Sequence, residues 1–279
     1  MKISNHRLVF DNNAPYPFIA SPNYSRGKTL QPDYIIIHYT AGSSADASIR
    51  WLCNSQANAS AHIVIGRDGE ITQLANFNKV AWHAGRSSWD DKNYLNSYSI
   101  GIELDNAGVL RKQGDQWVTW FGKVIDESEV MVATHKNRSE EAGWHTYTSA
   151  QIEACRELCS ALCAKYPIKE ILGHDDIAPQ RKTDPGPAFP LSNIQGIAVG
   201  RNTEIEEQNL PIKLTTATLN IRTGPGTHHN KLEEGPLPVD TSVLVIEKYN
   251  NWQYVEVLDE VNGNADIQGW VYGAYLTDQ

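Results

Sequence analysis

The sequence predicts an α/β domain followed by a small all-β domain. Strand-like and helix-like segments alternate up to about residue 190, whereas only short strand-like segments separated by turns follow residue 212. The length of 279 residues also exceeds that of one typical domain. We therefore predict one domain over 1–195 and a second over 212–279. Residues 196–211 contain a Glu-rich tract without clear periodicity, which predicts a linker.

Four segments of the first domain have the pattern of strands. Each is a short run rich in β-branched and apolar residues, over 34–38, 61–65, 70–74 and 99–104. The first follows Pro32 and is largely apolar, which is typical of a strand that is buried on both faces. The second and third are joined by Gly-Arg-Asp-Gly, a sequence that favours a turn.

Two further segments, 45–53 and 149–166, have helical patterns, and the second begins with Ser149 as a candidate N-cap. Cysteines follow one another along one face of this second helix, at Cys155, Cys159 and Cys163. Cysteines one turn apart rarely reach disulfide geometry, so we predict small apolar contacts, with a metal site as the alternative. Unpaired thiols are typical of a reducing compartment.

Charge and hydropathy exclude several classes of partner. The 24 basic and 33 acidic residues give a net charge of −9, which argues against binding to nucleic acid or to an anionic membrane surface. No apolar run reaches the roughly 18–20 residues of a membrane-spanning helix, so we predict no integral membrane association. Residues 1–13 lack the apolar core and cleavage site of a signal peptide, which predicts a cytoplasmic protein.

Three separated residues form a candidate metal site. His38 ends the first predicted strand, and His174 and Asp184 stand ten positions apart in a polar loop. Two neutral imidazoles and one carboxylate suit Zn²⁺ and leave a fourth position for water. A zinc ion lowers the pKa of a bound water to about 7 and polarises a carbonyl group. The spacing alone is weak evidence, because such residues also occur together by chance.

Five motifs around these residues are more specific. They are Ile-Ile-Ile-His-Tyr-Thr over 35–40, Ser-Ala-His over 60–62, Ala-Trp-His-Ala-Gly over 81–85, Ser-Ile-Gly-Ile-Glu over 99–103, and Gly-His-Asp-Asp-Ile-Ala-Pro with Arg-Lys-Thr-Asp-Pro-Gly-Pro within 173–187. In this order they resemble the zinc-dependent N-acetylmuramoyl-L-alanine amidases of the amidase-2 family, above all its AmpD-like members. That family shares its fold with the peptidoglycan recognition proteins, so the resemblance implies a mixed central sheet flanked by helices.

The resemblance also implies a role for individual residues. His38, His174 and Asp184 match the zinc ligands, Glu103 matches the general base, and Lys182 matches the cation that stabilises the oxyanion. Amide hydrolysis needs such a proton acceptor and such a fixed positive charge. Glu103 stands in an otherwise apolar strand, so its carboxylate must either enter a site or leave the core. A solvated strand-end glutamate and a surface lysine are the alternatives.

Substrate contacts are predicted at four more positions, which are Trp82, His83, Arg86 and His62. For the two histidines a structural role is the alternative, and for His62 we favour packing. The segment between Glu103 and the cysteine helix is an insertion in which we expect His135 and His145 at the surface. Its tryptophans either contact sugar or peptide or belong to the core, at Trp117, Trp120 and Trp144.

The second domain resembles bacterial SH3-type domains over 212–277. The motifs are Leu-Asn-Ile-Arg-Thr-Gly-Pro-Gly from 219, the segment around Trp252, and Gly-Trp-Val around Trp270. Such domains commonly accompany cell-wall hydrolases, so the resemblance implies targeting to substrate or wall. We expect Trp252 and Trp270 to fill the core of a small barrel, with a ligand platform as the alternative.

Together these observations predict a zinc-dependent hydrolase that cleaves the amide bond between N-acetylmuramic acid and L-alanine, in peptidoglycan or in muropeptides. The alternative is a non-catalytic peptidoglycan-binding protein on the same fold. The complete set of zinc ligands and catalytic residues favours the enzyme. The absence of a leader pattern favours the cytoplasm, and the SH3-like segment favours intact wall reached by release without a leader. The sequence makes no prediction of the oligomeric state.

Overall fold

The computed structural model describes residues 1–197, 211–227, 229–264 and 267–278. It consists of two compact units, Met1–Gly200 and Arg201–Gln279. Most of the predicted linker lies outside the described residues, so the predicted domain bounds stay a prediction. In the part of the chain that the structure describes, no helix combines the length and the hydropathy needed to cross a membrane.

The first unit contains short strands and four helices. Its strands are β1 (Lys2–Ser4), β2 (Arg7–Val9), β3 (Tyr24–Ser25), β4 (Tyr34–Tyr39), β5 (Ile63–Ile65), β6 (Ile71–Gln73), β7 (Val80–Ala81), β8 (Ser88–Trp89), β9 (Lys92–Asn93), β10 (Ser99–Leu104), β11 (Val109–Gln113), β12 (Gln116–Val118), β13 (Val124–Ile125), β14 (Val130–Thr134), β15 (Glu141–His145) and β16 (Glu170–Gly173). Its helices are α1 (Ala45–Leu52), α2 (Ser149–Lys165), α3 (His174–Ile177) and α4 (Leu191–Gln195).

A five-stranded sheet in the order β16-β4-β10-β5-β6 forms the centre of this unit. The first four strands in that order are parallel, and β6 is antiparallel to β5 at the edge. Strand β4 is buried on both faces from Tyr34 to His38, as its apolar sequence predicts. This mixed sheet with flanking helices confirms the predicted α/β fold class.

Helix α2 covers one face of the sheet and begins one residue earlier than the sequence suggests. Its N-cap is Thr148, whose hydroxyl accepts from the backbone N–H of Gln151, while the Gln151 side chain accepts from the backbone N–H of Thr148. The Ser149 N-cap is therefore wrong by one position. Cys155 and Cys159 are fully buried against the sheet, and all four cysteines of the described chain are unpaired, as predicted.

The insertion between β10 and α2 forms a second sheet, in the order β13-β12-β11-β15-β14. The expectation that His135 and His145 lie at the surface is wrong, because they are only 1% and 6% exposed. Nε2 of His135 lies 2.9 Å from Oδ2 of Asp175, and Nδ1 of His145 accepts from the backbone N–H of Ala107. The first of these contacts ties the insertion to the short helix α3.

The second unit is built on one antiparallel sheet. Its strands are β17 (Ile212–Thr215), β18 (Ser242–Tyr249), β19 (Trp252–Val257), β20 (Gln268–Tyr272) and β21 (Leu276–Asp278), in the order β20-β19-β18-β17-β21. The core is made of aliphatic side chains such as Val255 and Val271. The assignment of this unit as an SH3-type domain stays a prediction.

Tryptophans of the second unit lie outside its core, contrary to our expectation. Trp252 and Trp270 alternate along their strands with the buried valines, so they are half-buried on the other face of the sheet. There the ring of Trp252 lies 5.4 Å from that of Tyr272, and the ring of Trp270 lies 5.4 Å from that of Tyr254. We call these four rings and their face the aromatic face.

Candidate metal centre

The candidate site lies at the carboxyl ends of three neighbouring parallel strands. Glu103 of β10 is the register partner of His38 of β4, and Gly173 of β16 is the partner of Ile37. His174 follows Gly173 directly, as the first residue of α3, so it stands next to His38. Neighbouring strands lie about 4.8 Å apart, and side chains in one row point to the same face. The sheet therefore brings two imidazoles and a carboxylate together.

Asp184 completes a compact group of three buried side chains. Nδ1 of His38 lies 2.9 Å from Nδ1 of His174, and Oδ2 of Asp184 lies 2.9 Å from each of these nitrogens. The Asp184 carbonyl accepts from the backbone N–H of Asp175 at 2.8 Å, which fixes the loop against α3. Two imidazole nitrogens and a carboxylate oxygen that converge in this way fit a zinc ion by the chemistry of the donor set.

The protonation states of these side chains also suit a metal. Burial, and then the neighbouring His174, lower the pKa of His38 to about 4, so its ring is neutral at neutral pH. Burial alone would raise the pKa of Asp184, but the two imidazoles lower it by more, so the side chain is a carboxylate. Metal binding requires a neutral imidazole and an ionised carboxyl group.

Glu103 stands in the same row and has an oxygen without a hydrogen-bonding partner. This atom, Oε2, is buried. Burial raises the pKa of Glu103 well above its ordinary value, the Asp184 carboxylate raises it further, and the charge of Lys182 acts in the opposite direction. Buried polar atoms normally have a partner, and perturbed carboxyl groups are concentrated at sites that exchange protons. Glu103 is therefore suited to the role of a general base.

Lys182 supplies positive charge on the loop that leads to Asp184. Its backbone N–H donates to the carbonyl of Ala178 at 2.9 Å, in the turn that follows α3. The positive charge of Lys182 lowers the pKa of both His38 and Glu103, in each case by less than burial changes it. The half-buried side chain therefore lies within electrostatic reach of both residues. A positive charge in this position is what a developing oxyanion requires.

His62 and His83, which the sequence predicts to contact substrate, have partners inside the protein near the candidate metal ligands. His62 is 0% exposed, its Nδ1 accepts from the backbone N–H of Gly101, and its Nε2 donates to the carbonyl of Lys79. Nδ1 of His83 lies 3.1 Å from Nε2 of His38, and burial followed by the neighbouring imidazoles holds the pKa of His83 well below its ordinary value. Both histidines therefore have partners inside the protein, and a role of either towards substrate stays a prediction.

The other two predicted substrate contacts, Trp82 and Arg86, have partners that are not candidate metal ligands. The half-buried Trp82 donates its indole N–H to Oγ of Ser25 at 3.0 Å. Arg86 is exposed, and its carbonyl accepts from the guanidinium of Arg181 at 2.8 Å. Neither contact involves a candidate metal ligand. A role of Trp82 or Arg86 towards substrate stays a prediction.

The three tryptophans of the insertion have different environments. Trp144 is 1% exposed and belongs to the core, and Trp117 is half-buried against Gly143. Trp120 is 66% exposed, yet its indole N–H donates to the carbonyl of Ala41 at 2.7 Å. Ala41 follows shortly after the end of β4. Trp120 is thus the insertion tryptophan that is both held in place and open to a ligand.

Gly101 is required for the ring of His83 to lie flat on β10. A Cβ atom at this position would lie 2.4 Å from Cγ of His83. We expect Gly101→Ala to destabilise the protein by about 1–3 kcal/mol, because the ring must move in a packed interior. Thermal unfolding measures this loss. In a His83→Ala background the same change should cost much less, and an equal cost in both backgrounds would contradict the explanation.

Residues 28–187 match the family model Amidase_2, described as N-acetylmuramoyl-L-alanine amidase. The chain belongs to this family. The match includes all three candidate metal ligands, Glu103 and Lys182. Membership confirms the predicted enzyme family and agrees with the mixed sheet of the first unit.

Curated members of the Amidase_2 family are similar to this chain over much of its first unit. The 1,6-anhydro-N-acetylmuramyl-L-alanine amidase AmpD of Escherichia coli strain K12 is 38% identical over 205 residues, which are 66% of this chain and 92% of AmpD. The N-acetylmuramoyl-L-alanine amidase AmiD of the same strain is 32% identical over 68% of this chain and 60% of AmiD. The AmpD of Citrobacter freundii is 34% identical, and the chain spans only 56% of its length.

Solved structures of Amidase_2 members are also similar. A crystal structure of a selenomethionine AmpD derivative has a TM-score of 0.48 at 28% identity, over 71% of this chain and 99% of that chain. A complex of E. coli AmiD with anhydro-N-acetylmuramic acid-L-Ala-D-gamma-Glu-L-Lys has a TM-score of 0.46 at 29% identity, over 67% of this chain and 63% of that chain.

Two contributors to the Amidase_2 site were not predicted from the sequence, the backbone carbonyl of Ala84 and the guanidinium of Arg181. The carbonyl of Ala84 lies 3.1 Å from Nε2 of His174, and the guanidinium of Arg181 donates to the same carbonyl at 2.9 Å. An alanine carbonyl has no signature in a sequence. The available signals were the position of Ala84 directly after His83 and the position of Arg181 directly before Lys182, each within a quoted motif.

Proposed function

We propose that this chain is a zinc-dependent amidase that hydrolyses the amide bond between the lactyl group of N-acetylmuramic acid and L-alanine. The observation that carries the proposal is the convergence of His38, His174 and Asp184 at 2.9 Å beside a buried, unpartnered oxygen of Glu103. Metal ligands without a neighbouring proton acceptor would suit a structural site. Together with a base they suit hydrolysis.

The three ligands would hold Zn²⁺ through Nδ1 of His38, Nδ1 of His174 and Oδ2 of Asp184. When bound, the ion supplies the Lewis acidity that polarises a carbonyl group and makes water a stronger acid. Three protein ligands are typical of catalytic zinc sites, whereas structural sites have four. Within the described residues no other group of three histidine, cysteine or carboxylate side chains has a comparable arrangement.

Glu103 accepts the proton of the attacking water and later delivers it to the leaving amine. A raised pKa suits both steps, because the group must take up a proton and give it away again near neutral pH. Lys182 places its positive charge where the carbonyl oxygen becomes negative. The charge of the half-buried ammonium is less screened than it would be in open solvent, which strengthens its effect on the transition state.

The substrate we propose is a muropeptide, with the anhydro form as the preferred one. AmpD of E. coli, which is 38% identical and aligned over 92% of its length, is named as an amidase of 1,6-anhydro-N-acetylmuramyl-L-alanine. Support from this chain comes from Trp120, whose exposed ring is anchored close to the end of β4 and offers an aromatic surface to a sugar or a peptide. Intact peptidoglycan, which is larger than a muropeptide, is the alternative substrate.

Incubation of the full chain with purified anhydro-muropeptide tests the proposal. We expect release of the free stem peptide, which chromatography and mass spectrometry detect, together with about one zinc ion per chain. We also expect a higher kcat/KM on anhydro-muropeptide than on intact sacculi. Binding of muropeptide without any release of peptide would instead support a non-catalytic recognition protein. A fully active protein free of metal would contradict the zinc mechanism.

For the second unit we propose an SH3-type domain that brings the enzyme to wall material. Within the described residues, support comes from the five-stranded antiparallel sheet and from the half-buried rings of the aromatic face. The location of the protein in the cytoplasm stays a prediction from the sequence.

A further inference from the structure

We propose that residues 81–85 fix the tautomers of both zinc-binding imidazoles, with His83 as a positioning residue for His38. This inference rests on the proposed zinc site and adds to it a role for a segment that contacts neither water nor substrate in the mechanism above. The segment presents one acceptor to each imidazole. These acceptors are Nδ1 of His83 and the carbonyl oxygen of Ala84.

The tautomer of His38 follows from a chain of contacts that ends at β10. Nε2 of His83 lies 3.3 Å from the carbonyl oxygen of Ser99 and 3.4 Å from its hydroxyl, which itself donates to the carbonyl of Leu95. Both Ser99 atoms therefore act as acceptors, so Nε2 of His83 bears the proton. In a neutral ring its Nδ1 then has the lone pair, which accepts from Nε2–H of His38 at 3.1 Å.

The tautomer of His174 is fixed in the same way. Its Nε2 lies 3.1 Å from the carbonyl oxygen of Ala84, which can only accept, so this nitrogen bears the proton. Nη2 of Arg181 lies 3.4 Å from the same nitrogen, but it donates its two hydrogens to the carbonyls of Ala84 and Arg86. The contact between Arg181 and His174 is therefore not a hydrogen bond.

In the neutral rings that metal binding requires, both ligand nitrogens are then free of protons. With protons on Nε2 of His38 and His174, each Nδ1 presents a lone pair, and the two face each other and the Asp184 carboxylate at 2.9 Å. Three acceptors in contact repel one another unless a metal cation or a proton lies among them. The segment 81–85 thus presents the two imidazoles in the only neutral tautomer that can bind a metal through Nδ1.

Residues 81–85 are themselves held in place by hydrogen bonds. The side-chain carbonyl of Asn96 accepts from the backbone N–H groups of both His83 and Ala84, at 3.0 and 2.7 Å. Gly101 leaves the space that the His83 ring occupies. The position of each acceptor is therefore set by β10 and by the turn before it rather than by the metal.

A pair of substitutions of similar shape tests this role. His83→Asn places a side-chain oxygen where it can accept from His38, whereas His83→Leu has nearly the same shape and no acceptor. We expect His83→Leu to weaken zinc binding about 10–100-fold relative to the wild type, as is typical when the outer partner of a metal-binding histidine is lost. His83→Asn should recover most of that loss. Competition with a chromophoric zinc chelator measures the dissociation constants of the full-length proteins.

Thermal unfolding of the metal-free proteins provides the control, because both variants lose the ring that packs on Gly101 and should be destabilised alike. Equal zinc affinity of His83→Leu and the wild type would overturn the inference while leaving the proposed function intact. Equal weakening in His83→Asn and His83→Leu would also overturn it, since packing rather than the acceptor would then be responsible. A wild-type chain that binds no zinc would overturn the proposed zinc site, and the inference with it.

Discussion

Glu103→Gln is expected to lower kcat for muropeptide hydrolysis about 10²–10⁴-fold and to leave the zinc content unchanged. The amide has nearly the shape of the carboxyl group but cannot accept the proton of the attacking water. Glu103 is also not one of the three converging ligands, so its replacement should not disturb the metal. Steady-state kinetics and elemental analysis of the same preparation measure the two quantities.

The matched control for this substitution is Glu153→Gln on α2. Glu153 is exposed and pairs with Arg156 on the helix surface, away from the row of residues at the strand ends. We expect its activity to equal that of the wild type. If Glu103→Gln retained full activity, Glu103 would not be the base. If it lost zinc together with activity, the residue would contribute to metal binding rather than to proton transfer.

Asp184→Asn is expected to abolish hydrolysis through loss of the metal. The change preserves the shape of the side chain but removes the only negative charge among the three ligands. Zinc affinity should therefore fall by more than the 10–100-fold that follows the loss of an outer partner. Elemental analysis after dialysis and activity at a series of added zinc concentrations measure the effect.

Two comparisons make the result of Asp184→Asn specific. Asp115→Asn alters an exposed aspartate in the turn between β11 and β12 and should leave zinc content and activity unchanged. Treatment of the wild type with a chelator should remove activity, and added zinc should restore it. Retention of a full equivalent of zinc by Asp184→Asn would show that the ion is held by other residues.

The sequence singles out the residues that converge at the candidate site better than it predicts their surroundings. His38 and Glu103 could be singled out because each is polar within a strand that is otherwise apolar, and a polar residue is placed there only at a cost. The order of the motifs supplied His174, Asp184 and Lys182. Parallel pairing then explains why residues so distant in sequence meet, since the carboxyl ends of parallel strands lie at one edge of the sheet.

Burial of the remaining histidines could not be predicted in the same way. His62 and His135 are buried and His83 is half-buried, and partners from distant segments satisfy their ring nitrogens. Such partners are often backbone atoms, which every residue possesses, so no residue type marks them. Trp252 and Trp270 illustrate a different limit. The alternation of side chains along a strand shows which residues share a face, but it does not show which of the two faces packs in the core.

The separation of the metal ligands along the chain has a consequence for biosynthesis. His38 and Asp184 are 146 positions apart, and they meet only when β16 has paired with β4. Contacts between such distant segments form late, because a long loop must close first. In a nascent chain on the ribosome, the three proposed zinc ligands therefore cannot come together until Asp184 has emerged. A zinc ion at the proposed site would then bind the folded state in preference to the unfolded one and add to the stability of the folded state.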